Sequence, residues 1–222
     1  MPGPERSCRV LLAAGTSRSP RDALGRTASP SGRALVAAVA AGAPACDSGA
    51  GCAPRVQADH RHRCPACGRW WSVSHVGNRW VVAASILPLG IDLEDSRLRP
   101  RAWAVASRWC GTPVTGPAGW TQAEALWKAT GNGVRPPRDG EILIPRNSGP
   151  GWLLSRDARW RIRTVTLRGF SCSLALRTEQ GRTRSSAEVD QNPPEIVILR
   201  GGDAEGEALL QLFGRGVVPN SD

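Results

Sequence analysis

The sequence predicts an α+β fold made of two related α/β halves. Segments with helical spacing, near residues 32–41 and 121–131, alternate with segments of strand spacing. Each half closes on a small apolar strand-like run, Trp80–Ser85 in the first and Phe170–Leu176 in the second. The chain has 222 residues, enough for one large domain or two small halves sharing a core.

Residues 1–30 are rich in Arg, Ser, Pro and Gly with one short apolar patch, and are expected to be partly disordered. Gly32–Ala41 reads as a helix ended by Gly42 and Pro44. Residues 42–58 read as loop. Arg69–His75, a Gly77-Asn78 turn and Trp80–Ser85 form a predicted hairpin. Ile86–Glu94 is a further strand, with Ile91 and Leu93 on its buried face and Asp92 and Glu94 on the other. Pro88 marks its start or an edge. Residues 95–119 read as a short helix plus loop. Thr121-x-x-Glu124 matches a capping box, which starts a helix at Thr121, and Gly131 is its expected C-terminal cap. Beyond Pro136-Pro137 the chain is β-rich, with strands expected at Glu141–Ile144, Arg161–Leu167, Phe170–Arg177 and Ile196–Leu199. The tail after Gly201 is acidic with one apolar patch, Leu209–Phe213. These elements divide into an N-terminal half, 1–87, a C-terminal half, 88–200, and a tail, 201–222.

Composition narrows the function classes. The formal charge of +10 fits either an arginine-rich solvated surface or a polyanionic partner. The 7 cysteines are odd in number and lack a framework spacing, as expected of a reducing compartment. No apolar run approaches a membrane span, and Val10–Ala14 is too short for a signal core. A cytoplasmic location without membrane contact is expected.

Lys128 is the only lysine; the other 28 of the 29 basic residues (29 − 1) are arginine. A compact ammonium is wanted there rather than a planar guanidinium. Glu124 stands one helical turn before it, on the same face. Asp92 and Glu94 share one strand face, so both can point at one hard cation such as Mg²⁺, with Glu124 closing the site from across a groove. Lys128 could then neutralise a phosphate. Each piece has an ordinary structural reading: a solvated strand rim, a closed capping box, a surface ion pair. His75, after Ser74 at a strand end, can bind phosphate, act as acid or base, or be a half-buried strand residue. Cys64-Pro65-Ala66-Cys67 is half of a zinc knuckle. Cys52 and Cys110 stand singly, and His60 and His62 lie so close to Cys64 that four ligands around one ion would be strained. No phosphate loop, nucleophile elbow or His-Glu-x-x-His motif is present.

Three blocks in this order resemble those of the 4′-phosphopantetheinyl transferase superfamily, of its larger monomeric type. They are Ser72-Val73-Ser74-His75, Leu89-Gly90-Ile91-Asp92-Leu93-Glu94, and Trp120-Thr121-x-x-Glu124-Ala125-x-x-Lys128-Ala129-x-Gly131. Cys64-Pro65-x-Cys67-Gly68 resembles a segment of many bacterial members. The resemblance implies the transferase fold of two pseudo-symmetric halves with a site in the cleft between them. It implies transfer of phosphopantetheine from coenzyme A to a serine of an apo carrier protein. Asp92, Glu94 and Glu124 would hold Mg²⁺, and Glu124 and Lys128 would be catalytic, with Lys128 touching the phosphate under attack. Ser74, His75 and, in a Gly-Arg-x-Leu helix start, Arg33 would bind coenzyme A. No nucleic-acid partner is then expected. Two alternatives stay open: a basic zinc-knuckle protein gripping nucleic acid through Arg61, Arg63 and Arg69, and a degenerate transferase that binds coenzyme A without turnover.

Overall fold

The computed structural model describes residues 9–16, 32–43, 51–131, 135–147, 149–167, 169–178, 194–199 and 203–214. The expected disorder at 1–8 and 17–30 lies outside these residues. Between those two stretches, Arg9–Thr16 forms strand β1. It is buried on both faces because Val10-Leu11-Leu12-Ala13-Ala14 is apolar at every position. The short apolar patch read within 1–30 is this strand.

The chain continues through α1 (Gly32–Gly42), β2 (Arg55–Val56), β3 (His62–Arg63), β4 (Trp70–Val76), β5 (Arg79–Ser85) and β6 (Leu89–Asp95). Then come α2 (Pro100–Cys110), α3 (Pro117–Thr130), β7 (Trp152–Leu154), β8 (Trp160–Leu167), β9 (Phe170–Arg177), β10 (Glu195–Ile198) and α4 (Ala204–Gly214). The class is mixed α+β. One sheet has the order β10-β1-β5-β4-β3-β2, the other β6-β9-β8-β7. Within each, the opening strand pairs antiparallel with the closing one, β1 with β5 and β6 with β9. The orders β1-β5-β4-β3 and β6-β9-β8-β7 therefore correspond strand for strand.

The sheets share an apolar layer. Val10, Leu12, Val81 and Ala83 of the first meet Leu89, Ile91, Leu93, Cys172 and Leu174 of the second. The outer face of the first sheet packs Leu11, Trp71 and Val82 against Val36 and Ala40 of α1. The outer face of the second packs Ile162 and Ala175 against α2 and α3, where Trp109 stacks on Trp120 with ring centroids 5.7 Å apart.

Four expectations change. The helix expected at Thr121 begins at Pro117, with extended Gly116 as its cap. Proline at the first helical position fixes φ and needs no N–H partner. Thr121 is thus a fully buried interior residue rather than a cap. Glu141–Ile144 forms no strand. Ile142 and Ile144 are buried as their alternation implies, but the backbone bonds individually, Ile142 N–H to Trp109 O at 2.9 Å. The strand at 195–198, assigned to the second half, pairs in parallel with β1 of the first sheet. The tail's apolar patch becomes α4, which buries Leu209, Leu210 and Phe213 in the shared layer. A return to β1 is a long-range pairing that local spacing does not encode.

Among the described residues, no helix is long and apolar enough to cross a membrane.

Candidate functional site

Gly90 places α3 on β6. A Cβ there would lie 2.1 Å from Ala125 O and 2.6 Å from Ala129 N, so only glycine admits the helix backbone at this distance. Ala125 and Ala129 supply the matching small surface and are fully buried. Gly131, at φ 77°, ends α3 as the expected C-terminal cap.

This approach covers the second face of β6. Asp92 and Glu94 do lie on the face opposite Ile91 and Leu93, but that face is not a solvated rim. Asp92 is 5% exposed and Glu94 6%. The edge of β6 that lacks a ladder partner is closed by side chains. Ile91 N–H donates to Ser72 Oγ at 3.0 Å, and Lys128 Nζ donates to Ile91 O at 3.2 Å. Ser74 Oγ donates to Asp92 Oδ1 at 2.9 Å, and Lys128 Nζ pairs with the same oxygen at 2.7 Å. The sole lysine is therefore paired with Asp92, rather than with Glu124 as in the ordinary structural alternative.

Glu94 pairs with Arg99 at 3.0 Å and accepts the N–H of Asp95. Burial raises its pKa above the ordinary carboxylate range, against the pull of the Asp95 N–H and Arg99. Glu124 is partly buried beside them, and its carboxyl is pushed up to about 7. Burial is the main cause and the charge on Asp92 adds to it; Lys128 opposes the rise and Glu94 reinforces it. Below α3, Thr121 Oγ1 and Ser173 Oγ lie 2.7 Å apart, and Ser173 Oγ and Thr164 Oγ1 2.9 Å apart, forming a hydroxyl floor.

The structure thus gathers Ser74, Asp92, Glu94, Glu124 and Lys128 between β4, β6 and α3. His75 and Arg33 stand apart from this group. His75 is exposed at the end of β4; by strand alternation it follows Trp71 and Val73 on the α1 side. Arg33 is exposed in the first turn of α1 on that side, and Gly32 next to it lies against Val73. Ser74 faces Asp92, so its observed job is to hold that carboxylate. Arg99 was missed from sequence, although it immediately precedes the Pro100 that starts α2. Ser72 and Ser173 were missed because their roles depend on strand register.

The donor chemistry fits a hard divalent ion: three carboxylates lie in one pocket of negative charge that Lys128 and Arg99 only partly offset. Their oxygens stand wider than a coordination shell. Among the described residues, the only group of three or more Asp, Glu, His or Cys with ligating atoms all within 4.8 Å of one another is Cys52, Cys64 and Cys67. Closing the acids on one ion therefore requires side-chain rotation. A cavity of about 330 Å³ lies elsewhere, lined by Thr16, Arg79, Trp80, Leu93 and Phe170 among others. It is on the Leu93 face of β6, and none of the acids lines it.

No protein-family model matches the chain, and no curated protein gives a significant match.

Proposed function

We propose that this chain transfers the 4′-phosphopantetheine group of coenzyme A to a serine of an apo carrier protein, as the superfamily it resembles does. One observation carries the reading: Asp92, Glu94 and Glu124 share one space with the chain's only lysine. The matching strand order of the two sheets supports the transferase fold and its two halves.

In this reading Asp92, Glu94 and Glu124 hold Mg²⁺, which when bound offsets the charge of the pyrophosphate. Ser74 orients Asp92. Lys128 moves from Asp92 to the phosphate under attack, where an ammonium stabilises the charge of a phosphoryl centre. The carrier serine oxygen bonds to phosphorus, the pyrophosphate P–O bond breaks, and adenosine 3′,5′-bisphosphate leaves. A free carboxylate oxygen at the site, or solvent, takes the serine proton. His75 and Arg33, exposed on the α1 side, bind the 3′-phosphate end of coenzyme A. The protein acts as a cytoplasmic monomer.

The nucleic-acid reading is less favoured, because its arginines already have partners within the chain. Arg61 pairs with Asp59 at 2.6 Å, and both Arg61 and Arg63 lie over the Trp70 ring, at 4.2 and 4.8 Å.

The test is incubation of an apo carrier protein with coenzyme A, MgCl₂ and the purified chain, read by intact mass. The expected result is a gain of one phosphopantetheine group, lost without Mg²⁺. No mass gain on any of a panel of carrier proteins would refute the transferase. If coenzyme A still raised the melting temperature, the degenerate binder would be the surviving reading.

A further inference from the structure

We propose that Cys52, Cys64 and Cys67 form a zinc site that fixes the 52–70 segment against the end of α3. It is independent of the proposed transfer activity. The ligating sulfurs all lie within 4.8 Å of one another. Two sulfurs each ~2.3 Å from a tetrahedral ion stand ~3.8 Å apart. The Cys52 and Cys67 sulfurs are 3.6 Å apart, the spacing of two ligands on one ion.

The sequence alone offered Cys64 and Cys67 as half a knuckle, with His60 and His62 too close to complete it. Folding supplies the third ligand from Cys52, which precedes β2, while neither histidine belongs to the trio. The surroundings favour thiolates. Backbone hydrogen bonds from Cys67, Ala53 and Ala66, and one from the Cys67 side chain, reach the Cys64 sulfur. Arg69 adds a guanidinium N–H 3.5 Å from the Cys52 sulfur. Gly68, at φ 71°, closes the turn by donating its N–H to Cys64 O at 2.8 Å. By contrast, among the described residues no such donors reach Cys110 or Cys172. Zn²⁺ suits the trio by charge and softness. Binding releases the thiol protons to solvent and leaves the fourth tetrahedral position to water or a further donor.

The position gives the metal a task. The segment between Cys52 and Cys64 carries Arg61, which donates to Ala129 O at 3.1 Å and lies under Gly131. Arg61 thus caps α3 one residue beyond Lys128, from a loop that belongs to the other sheet. Zinc would hold that loop in place.

The test is elemental analysis of the full chain purified under reducing conditions without chelator. One zinc per chain is expected, retained in Cys110→Ala and lost in Cys52→Ser and Cys64→Ser. Because those variants could misfold, wild-type protein stripped of metal is also titrated with Co²⁺. One equivalent should give a sulfur-to-cobalt charge-transfer band in the near ultraviolet, with tetrahedral d–d absorption. Any of three results would overturn the site: no such band, stoichiometric zinc in Cys52→Ser, or a Cys52–Cys67 disulfide persisting in reductant.

Discussion

Replacing Glu124 with Gln probes the site through stability before any activity is known. A carboxyl that moves from 4.5 to about 7 on folding is costly to ionise. At ~1.4 kcal/mol per pKa unit, the full effect is about 3 kcal/mol. Partial solvent access lowers this, so about 1.5–3 kcal/mol is the working range. The sign follows from proton binding. Between pH 4.5 and about 7 the folded state holds the proton more tightly than the unfolded chain. This contribution is therefore fully present below 4.5 and is lost as pH rises through 7. Glu124→Gln cannot ionise, so its stability profile should lack that fall. At pH 8 without divalent ions it should be more stable than wild type by about 1.5–3 kcal/mol, or roughly 3–10 °C in melting temperature. Mg²⁺ should narrow or reverse this gap. At about 100 times its Kd it would stabilise wild type by about 2.7 kcal/mol and the variant far less. The assay is urea or thermal unfolding at pH 5 and 8, with and without MgCl₂. Equal Mg²⁺ effects on both proteins, or a variant less stable than wild type at pH 8, would refute the reasoning.

Further tests follow from the packing and pairing. Gly90→Ala should cost about 3 kcal/mol or more, because the clash is with the α3 backbone and no side chain can rotate away; circular dichroism melts would show it. Asp92→Ala and Lys128→Ala should each abolish the proposed transfer. A double-mutant cycle on unfolding should give a coupling of about 1 kcal/mol, the low end for such pairs, because Lys128 is 30% exposed. Lys128→Ala should also raise the pKa of Glu124 further, since Lys128 opposes its rise; this is checked by carboxyl titration in NMR. Arg61→Ala removes the carbonyl cap of α3 and the contact with Trp70, and should cost about 1–2 kcal/mol in chemical denaturation.

Much of the site was legible because its residues sit at fixed local spacings. Asp92 and Glu94 two apart on a strand, and Glu124 and Lys128 four apart on a helix, must share faces wherever those elements lie. What local spacing could not give was the depth of each face. The polar side of β6 looked solvent-facing because Asp and Glu usually are. It is buried because Gly90, Ala125 and Ala129 bring α3 down onto it, a three-residue match split between two distant segments. The capping-box reading failed where Gly116-Pro117 provided an earlier start. Cys52 looked solitary because its partners come 12 and 15 residues later, across two short strands. β10 and α4 were separated from β1 by nearly the whole chain.

The same packing separates what the fold needs from what only chemistry needs. Gly90, Ala125 and Ala129 have steric reasons to be small, and Thr121 bonds to Ser173. Asp92 has Ser74 and Lys128, and Glu94 has Arg99, so each acid is at least partly compensated. Glu124 differs. Among the described residues no hydrogen bond reaches its carboxyl, and burial together with two neighbouring acids opposes its charge. An apolar or amide side chain would serve α3 better at that position, since an acid with no matched partner is destabilising when it ionises. A fold under pressure for stability alone has no use for it. A divalent cation reverses the balance, because the mutual repulsion that penalises three carboxylates becomes the source of affinity once a +2 charge sits among them.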